Sequence, residues 1–257
     1  MKEDILSSST MYQIGGQKNN RRQQHLFVKK SVLALYIRMG TPVFVRLFDI
    51  KAFFDKESTR DVMNTLYEVN VDPKLYRTYY LLNKNTSIRV ETGNGLSEEK
   101  DVGEIVAQGS GGAALVSQVN LDRGINEMFC GSENNVTYGA VRLQPLTFQD
   151  NIVRLSLGIG NLKAGTSKLD TVIKLKKLMY HDDKTGVIVM GDETKVRRAK
   201  LLLTRSPVMC GDFQVGVKTT DKYLGDMLDE RGLGHSVTTT ILKQIVYSVD
   251  SSTPRST

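Results

Sequence analysis

The segment PVFVRLFDI, residues 42–50, constrains the fold more than any other part of the sequence. Its β-branched and aromatic side chains are typical of a strand buried inside a sheet. Asp49 interrupts this apolar run, and a carboxylate there must be paired or bind a cation, because burying an isolated charge is unfavourable. Capping of the following turn is the alternative role. The segment therefore predicts a central strand with an acidic end.

A glycine-rich segment, residues 107–125, runs into a predicted helix. Gly109 is followed by two more glycines, and glycine lets the backbone approach a ligand closely. Gln108 and Ser110 add polar groups just ahead of a helix N-terminus, a place that favours phosphate. The segment indicates either a phosphate-binding loop or a plain turn.

Residues 145–155 place a short polar sequence between two apolar runs. The polar residues are Gln149, Asp150 and Asn151. This pattern suits a tight hairpin with an acidic tip. A solvent-exposed β-turn is the alternative, since Asp and Asn are common turn residues.

The composition is that of a globular protein with a basic excess. The chain has 257 residues, of which 40% are hydrophobic and 25% charged, and its formal net charge is +7. These proportions exclude a disordered chain. The positive charge suits a polyanionic partner as well as simple solubility. No apolar run approaches the ~20 residues that a membrane span needs.

Two cysteines, Cys130 and Cys210, lie far apart and lack CxxC spacing. They predict neither a zinc site nor a disulfide framework. We expect both to be buried thiols in a reducing compartment inside the cell, nuclear or cytoplasmic.

Strand and helix patterns alternate along the chain. We predict helices over residues 23–39 and 162–180, the second only partly helical, and strands over residues 86–92 and 185–190. A further helix is predicted to open at Asp192, which can serve as its N-cap. This alternation argues for one α/β or α+β unit built on a sheet.

Five segments, taken in order, resemble the conserved motifs of the reverse transcriptase domain of non-LTR, LINE-like retrotransposons. The match covers roughly residues 44–228, and residues 15–25 more weakly resemble the finger segment before the first motif. Motifs A to E correspond to FDIKAFFD (48–55), AQGSGGAAL (107–115), FQDN (148–151), HDDKTGVIVMG (181–191) and KYLGDML (222–228).

This resemblance implies an α+β polymerase palm, an antiparallel sheet packed against helices, with partial fingers. It divides the chain into a lead-in with partial fingers (1–40), the palm (41–230) and a C-terminal helix with a frayed tail (231–257). The implied activity is RNA-directed DNA synthesis on an RNA template and a DNA primer.

The resemblance also implies a two-metal site with Mg²⁺, for which Mn²⁺ can substitute. Asp49 and Asp150 match the carboxylate ligands that serve catalysis. Ile50 would lend its backbone carbonyl to the second metal. Asn151 stands where the family has a second aspartate, so one negative ligand becomes a neutral amide.

Nucleotide binding falls on four further residues by resemblance. Phe54 matches the aromatic residue that excludes a 2′-hydroxyl, which implies deoxynucleotide substrates. Gln108, Gly109 and Ser110 would hold template and nucleotide.

The two last motifs add a candidate proton donor and a primer grip. Lys184 matches the lysine that donates a proton to pyrophosphate, with a plain surface lysine as the alternative. Tyr223, Leu224 and Gly225 match the turn that grips the primer. Lys29 and Lys30 are candidates for phosphate contacts or for a solvated helix face.

Several departures leave a second function open. Beyond Asn151, most of the fingers and a thumb have no counterpart in the sequence, so we expect a piece of a larger polyprotein or a decayed copy. The second function is therefore an inactive palm remnant that only binds nucleic acid. A dinucleotide-binding enzyme fits poorly, because no suitable strand precedes the glycines and no suitable acidic residue follows them.

Overall fold

A computed structural model describes residues 22–53, 58–84, 87–93, 95–101 and 113–230. Phe54, the predicted nucleotide loop of Gln108, Gly109 and Ser110, and residues 231–257 lie outside the described residues. Within the described part, no helix is long and apolar enough to cross a membrane.

One five-stranded sheet forms the centre of the molecule, in the order β13-β10-β1-β9-β8. Neighbouring strands are antiparallel except for β10 and β13, which are parallel. This architecture confirms the predicted α+β class. The strands of the sheet are β1 (Val43–Asp49), β8 (Leu146–Phe148), β9 (Asn151–Ser156), β10 (Gly186–Met190) and β13 (Gly216–Lys218).

Six helices and five short strand pairs surround this sheet in the described residues. The helices are α1 (Arg22–Arg38), α2 (Thr59–Glu68), α3 (Pro73–Asn83), α4 (Ala113–Phe129), α5 (Ile159–Leu175) and α6 (Glu193–Arg205). The paired short strands are β2 (Ser87–Ile88) with β5 (Lys100–Asp101), β3 (Glu91–Thr92) with β4 (Gly95–Leu96), β6 (Val136–Tyr138) with β7 (Val141–Leu143), β11 (Met209–Cys210) with β12 (Phe213–Gln214), and β14 (Thr220–Tyr223) with β15 (Asp226–Asp229).

Local capping chemistry explains where several helices begin. Asp192 accepts hydrogen bonds from the backbone N–H groups of Thr194 and Lys195 at 3.1 and 3.3 Å, as the sequence predicted for α6. Asp72 caps α3 in the same way, ahead of a proline in the first turn.

The central strand β1 is buried on both faces, so its alternate side chains enter two different cores. Phe44 and Phe48 pack with residues of α4, α5 and α6. Val45 and Leu47 pack on the opposite side with α1 and the β14–β15 pair. A third cluster joins α2, α3 and α4. Because β1 is covered from both sides, its position is rigidly determined.

Two buried arginines face each other across the central strands. Arg46 of β1 lies opposite Arg154 of β9 in the register, and both side chains are almost completely buried. Arg154 donates to the backbone carbonyls of Asn161 and Asn134 at 3.0 and 2.7 Å. Arg46 instead lies over the Phe48 ring, 4.2 Å from its centroid, and its Nε and Nη2 have no hydrogen-bond partner among the described residues. Burial lowers the pKa of each guanidinium to about 10.

Three predictions differ from the structure. The expected strand over residues 86–92 is split into β2 and β3, which are exposed because no core covers this long hairpin. The helix predicted over 162–180 begins earlier and ends at Leu175. Cys130 is exposed rather than buried, since it lies just past the end of α4, whereas Cys210 is buried as expected.

Gly165 of α5 offers a test of this core packing. A Cβ at this position would overlap the guanidinium of Arg154, which two backbone carbonyls hold in place. We expect Gly165→Ala to destabilise the protein by about 1–3 kcal/mol, as overpacking does, although alanine favours helix. Gly160→Ala in the same helix meets open space and should stabilise by up to about 1 kcal/mol. Urea unfolding of both variants measures the difference, and equal effects would contradict the packing of Arg154.

Candidate active site

The register between β1 and β9 brings two predicted acidic residues together. Asp49 lies directly opposite Asn151, and the N–H of Ile50 donates to the carbonyl of Asp150 at 3.3 Å. Cα atoms of opposite residues in an antiparallel pair are about 4.5–5.5 Å apart. The carboxylates of Asp49 and Asp150 therefore lie at one edge of the sheet. The carbonyl of Ile50 faces the same hairpin, because N–H and C=O of one extended residue point to the same side.

The β8–β9 hairpin turns within two residues, Gln149 and Asp150, since Phe148 pairs with Asn151. Only the first of these residues has a positive φ, +57° at Gln149, as in a type II′ turn. Glycine is usual at that position, and a larger residue there is strained by about 1–2 kcal/mol. Backbone strain is thus located beside the acidic pair.

The electrostatics of Asp150 reflect its crowded position. Burial, and to a lesser extent the negative charge of Asp49, raise the pKa of the Asp150 carboxyl above its usual value. The amide of Asn151 donates to Asp150 Oδ1 at 2.8 Å and partly offsets this rise, as does the charge of Lys184. Asn151 thus supplies a hydrogen bond to its neighbour where the reverse transcriptase motif has a second carboxylate.

Lys184 contacts the other member of the pair. Its Nζ lies 3.4 Å from Asp49 Oδ1, and its side chain is 59% exposed against 18% for Asp49. The tight turn at residues 181–184 explains this placement. The N–H of His181 donates to the Asp49 carbonyl at 2.8 Å, and the N–H of Lys184 folds back onto the His181 carbonyl at 3.1 Å. The turn is therefore anchored on the end of β1.

The donor set at this edge fits a hard divalent cation. Two carboxylates lie near each other, with the carbonyl of Ile50 as a further candidate ligand, and oxygen ligands are those that Mg²⁺ and Mn²⁺ accept. Burial is the main cause of the raised Asp150 pKa, and the repulsion from Asp49 that adds to it is the kind of interaction that a cation relieves. Among the described residues, no group of three or more His, Cys, Asp or Glu side chains could hold a metal. The site thus offers two acidic ligands.

The hairpin predicted as a primer grip is docked on α1. Tyr223 and Asp226 pair across a two-residue turn in which Leu224 and Gly225 both have positive φ, at 50° and 80°. Tyr223 is buried, and its hydroxyl lies 3.2 Å from His25 Nδ1. The tip of the hairpin is open to a ligand, since Gly225 is exposed and Leu224 half-buried, and Lys222 and Met227 beside it are exposed as well.

A buried ion pair, which sequence reasoning missed, secures this docking. Lys29 Nζ and Lys30 Nζ lie 3.1 and 2.9 Å from the two carboxylate oxygens of Asp226. The Lys29 side chain is 0% exposed. Lys29 is therefore no phosphate contact and no part of a solvated face, because it points into the core. The signal was present in the sequence: Lys29 falls on the same helical stripe as Val32, Leu33 and Tyr36.

Burial perturbs both ends of this ion pair. Desolvation lowers the pKa of Lys29 to about 8, although Asp226 partly counteracts it. Burial alone would raise the pKa of Asp226, but the hydrogen bond from Lys30 and the charge of Lys29 outweigh it and hold that pKa below its usual value.

The lowered Lys29 pKa predicts a specific pH dependence of stability. Folded protein binds fewer protons at Lys29 than unfolded protein does between pH 8 and 10.5, so stability rises with pH in that window. The Lys29→Met variant lacks this titrating group. We therefore expect the unfolding free energy of wild type, relative to that of Lys29→Met, to increase by about 1–2 kcal/mol between pH 7.5 and 9.5. Urea unfolding at several pH values measures it. If the difference in unfolding free energy between the two proteins does not change with pH, Lys29 is solvated in the folded protein.

Several solved structures with similar backbones are telomerases. Apo telomerase from Candida tropicalis aligns with a TM-score of 0.59 and 10% identity over 89% of this chain and 38% of its own length. A form of this telomerase truncated from its C-terminal domain aligns with a TM-score of 0.59 and 11% identity, over 90% of this chain and 43% of its own length. Telomerase from Candida albicans, solved in complex with a TWJ fragment of telomeric RNA, is also similar. It aligns with a TM-score of 0.55 and 12% identity, over 90% of this chain and 34% of its own length. No protein-family model and no curated protein matches the sequence.

These similarities concern the fold. At 10–12% identity they show a shared backbone architecture, and the chain spans about two fifths of the length of the first two telomerase chains. The roles of Asp49, Asp150, Lys184 and the Tyr223 hairpin stay predictions, as does the LINE-like relationship. The chain shares the fold of these telomerase structures, which fits a polymerase palm.

Proposed function

We propose that this chain is the palm of an RNA-directed DNA polymerase of a retroelement. The observation that carries the proposal is the β1–β9 register, which sets Asp49 beside Asp150 at one edge of a telomerase-like palm. The reaction is nucleotidyl transfer: the primer 3′ hydroxyl attacks the α-phosphorus of a deoxynucleoside triphosphate, the hydroxyl loses its proton, and pyrophosphate leaves.

Asp49 and Asp150, with the carbonyl of Ile50, would hold Mg²⁺ or Mn²⁺. Bound there, the ions would lower the pKa of the primer hydroxyl and neutralise charge on the triphosphate. Asn151 orients Asp150 through its amide hydrogen bond. Lys184, on an exposed turn next to Asp49, can deliver a proton to departing pyrophosphate.

The nucleic-acid partners follow from charge and fold. The net charge of +7 favours binding to phosphate by counterion release, and a telomerase of the same fold is known in complex with RNA. In this proposal the template is RNA and the primer is DNA. The turn of Tyr223, Leu224 and Gly225 would contact the primer, while Phe54 would select deoxynucleotides and the loop of Gln108, Gly109 and Ser110 would hold the incoming one.

An inactive palm that only binds nucleic acid is the second candidate. Two observations favour it: Asp49 already has a cationic partner in Lys184, and position 151 carries an amide that donates to Asp150. Both features weaken the negative charge available to a metal.

Replacing Asn151 by aspartate tests whether this edge is a metal site. The added carboxylate should raise the affinity for Mn²⁺ at least about tenfold, because a unit charge within ~4 Å of a divalent ion contributes more than 1 kcal/mol even in a watery setting. Asp150→Asn is the matched control and should lower the affinity. Calorimetric titration at pH 7 measures both. Equal affinities in all three proteins would remove positions 150 and 151 from any metal site.

Primer extension tests catalysis directly. On a primed homopolymer RNA template with Mn²⁺, we expect DNA synthesis that weakens as salt rises, because binding of this basic chain to phosphate depends on counterion release. Asp49→Ala and Asp150→Ala should each reduce the rate at least about 100-fold, the usual effect of removing one transition-state charge partner. Synthesis that persists in both variants would refute the assignment. Nucleic-acid binding without synthesis, together with unchanged Mn²⁺ affinity in Asp150→Ala, would establish the inactive palm.

A further inference from the structure

Lys218 joins three parts of the molecule near the acidic edge. It ends β13, the edge strand that runs parallel to β10. Its Nζ donates to the backbone carbonyl of Asp183 at 2.9 Å and to Asp221 Oδ2 at 2.8 Å. Asp183 is the residue before Lys184, so the ammonium of Lys218 is attached to the turn that carries the lysine facing Asp49.

The stem of Lys218 reaches this turn by crossing Gly186. A Cβ on Gly186 would lie 2.6 Å from Cε and 2.7 Å from Cδ of Lys218, closer than real Cβ atoms come to other atoms. Gly186 begins β10 and pairs with Leu47 of β1 and with Gly216 of β13. The path of Lys218 therefore depends on the absence of a side chain at residue 186.

The turn is consequently held at both ends. His181 is fixed to β1 through the Asp49 carbonyl, and Asp183 is fixed to β13 through Lys218. Lys184 itself is mostly exposed, and its contact with Asp49 at 3.4 Å is a partly solvated ion pair. A free lysine side chain loses up to about 2 kcal/mol of rotamer entropy on being fixed. A turn held rigidly at both ends keeps the Lys184 backbone in place, which confines its side chain near Asp49.

We propose that Lys218 is a positioning residue that holds Lys184 against Asp49, so that a divalent cation must displace Lys184 to bind this carboxylate. The inference rests on the proposed function, because it takes Asp49 as a metal ligand. In the metal-free protein the Lys184 ammonium offsets the repulsion between Asp49 and Asp150. The effect of Lys218 on metal binding therefore passes through Lys184.

Mn²⁺ affinity in the full chain, measured by electron paramagnetic resonance at fixed pH, tests this coupling. Lys184→Met should raise the affinity, since it removes the competing cation. Lys218→Met should raise it about two- to fivefold, the scale of a partly exposed ion pair. In a protein that already carries Lys184→Met, Lys218→Met should leave the Mn²⁺ affinity almost unchanged. Only the loss of the Lys218 charge should then have a small effect.

A second variant removes that charge effect. Gly186→Ala keeps every charge and displaces the flexible stem of Lys218, so it should raise Mn²⁺ affinity only when Lys184 is present. Gly216→Ala, on the paired residue where a Cβ meets nothing within 4 Å, is the matched control and should leave the affinity unchanged. Gly186→Ala also keeps the inference testable if Lys218→Met fails to fold.

The outcomes separate two failures. If Asp150→Ala and Asp49→Ala leave Mn²⁺ binding unchanged, there is no metal at this edge and the proposed function itself fails. If those variants abolish binding but Gly186→Ala changes the affinity equally with and without Lys184→Met, Lys218 acts on the fold alone and the positioning role is overturned. An effect of Gly186→Ala that disappears together with Lys184 supports it.

Discussion

The pairing register of β1 with β9 is the constraint on which the rest of this structure depends. Side chains alternate along a strand, so a shift of one residue would turn Asp49 into the core and Phe48 toward the hairpin. Ahead of Asp49, both faces of β1 are buried, and their side chains are apolar except for Arg46, so the hydrophobic pattern alone specifies this register weakly. The ionisable residues specify it, because a buried and unpaired carboxylate is unfavourable by several kcal/mol. The acidic edge of the sheet and the register of β1 thus depend on the same residue, Asp49.

Charge is accommodated differently at this edge and in the core. At the edge, two carboxylates share the field of one exposed ammonium, that of Lys184, and water still reaches them. In the core, Arg154 donates to backbone carbonyls through both of its terminal nitrogens, whereas Arg46 lies on the face of an aromatic ring and makes one long hydrogen bond, 3.4 Å to the Leu47 carbonyl. The carboxylates at the edge can exchange the Lys184 ammonium for another cation. The buried arginines cannot exchange their partners, and they therefore act as a fixed frame behind the site.

Sequence reasoning predicted what depends on neighbours along the chain and missed what depends on distant ones. The end of β1 at Asp49, the hairpin at Gln149 and Asp150, and the Asp192 cap all follow from residues within a few positions. The Lys29–Asp226 pair joins residues 197 positions apart, and the crossing of Lys218 over Gly186 depends on how β13 is placed beside β10. No local pattern encodes the second contact. The Lys29–Asp226 pair does have a local signal, because Lys29 lies on the apolar stripe of its helix. A lysine in such a position should not be assigned to the surface without further evidence.

The strand order has a consequence for synthesis of the protein on the ribosome. β1 emerges early, yet both of its neighbours in the sheet, β9 and β10, lie more than a hundred residues downstream. At about 5–20 residues per second, the gap corresponds to roughly 5–20 s in which the backbone groups along both edges of β1 lack their partners in the sheet. Pairings of such long sequence separation also form slowly. The nascent chain would therefore be most open to chaperones, and to misassembly with other nascent chains, just before its acidic edge is complete.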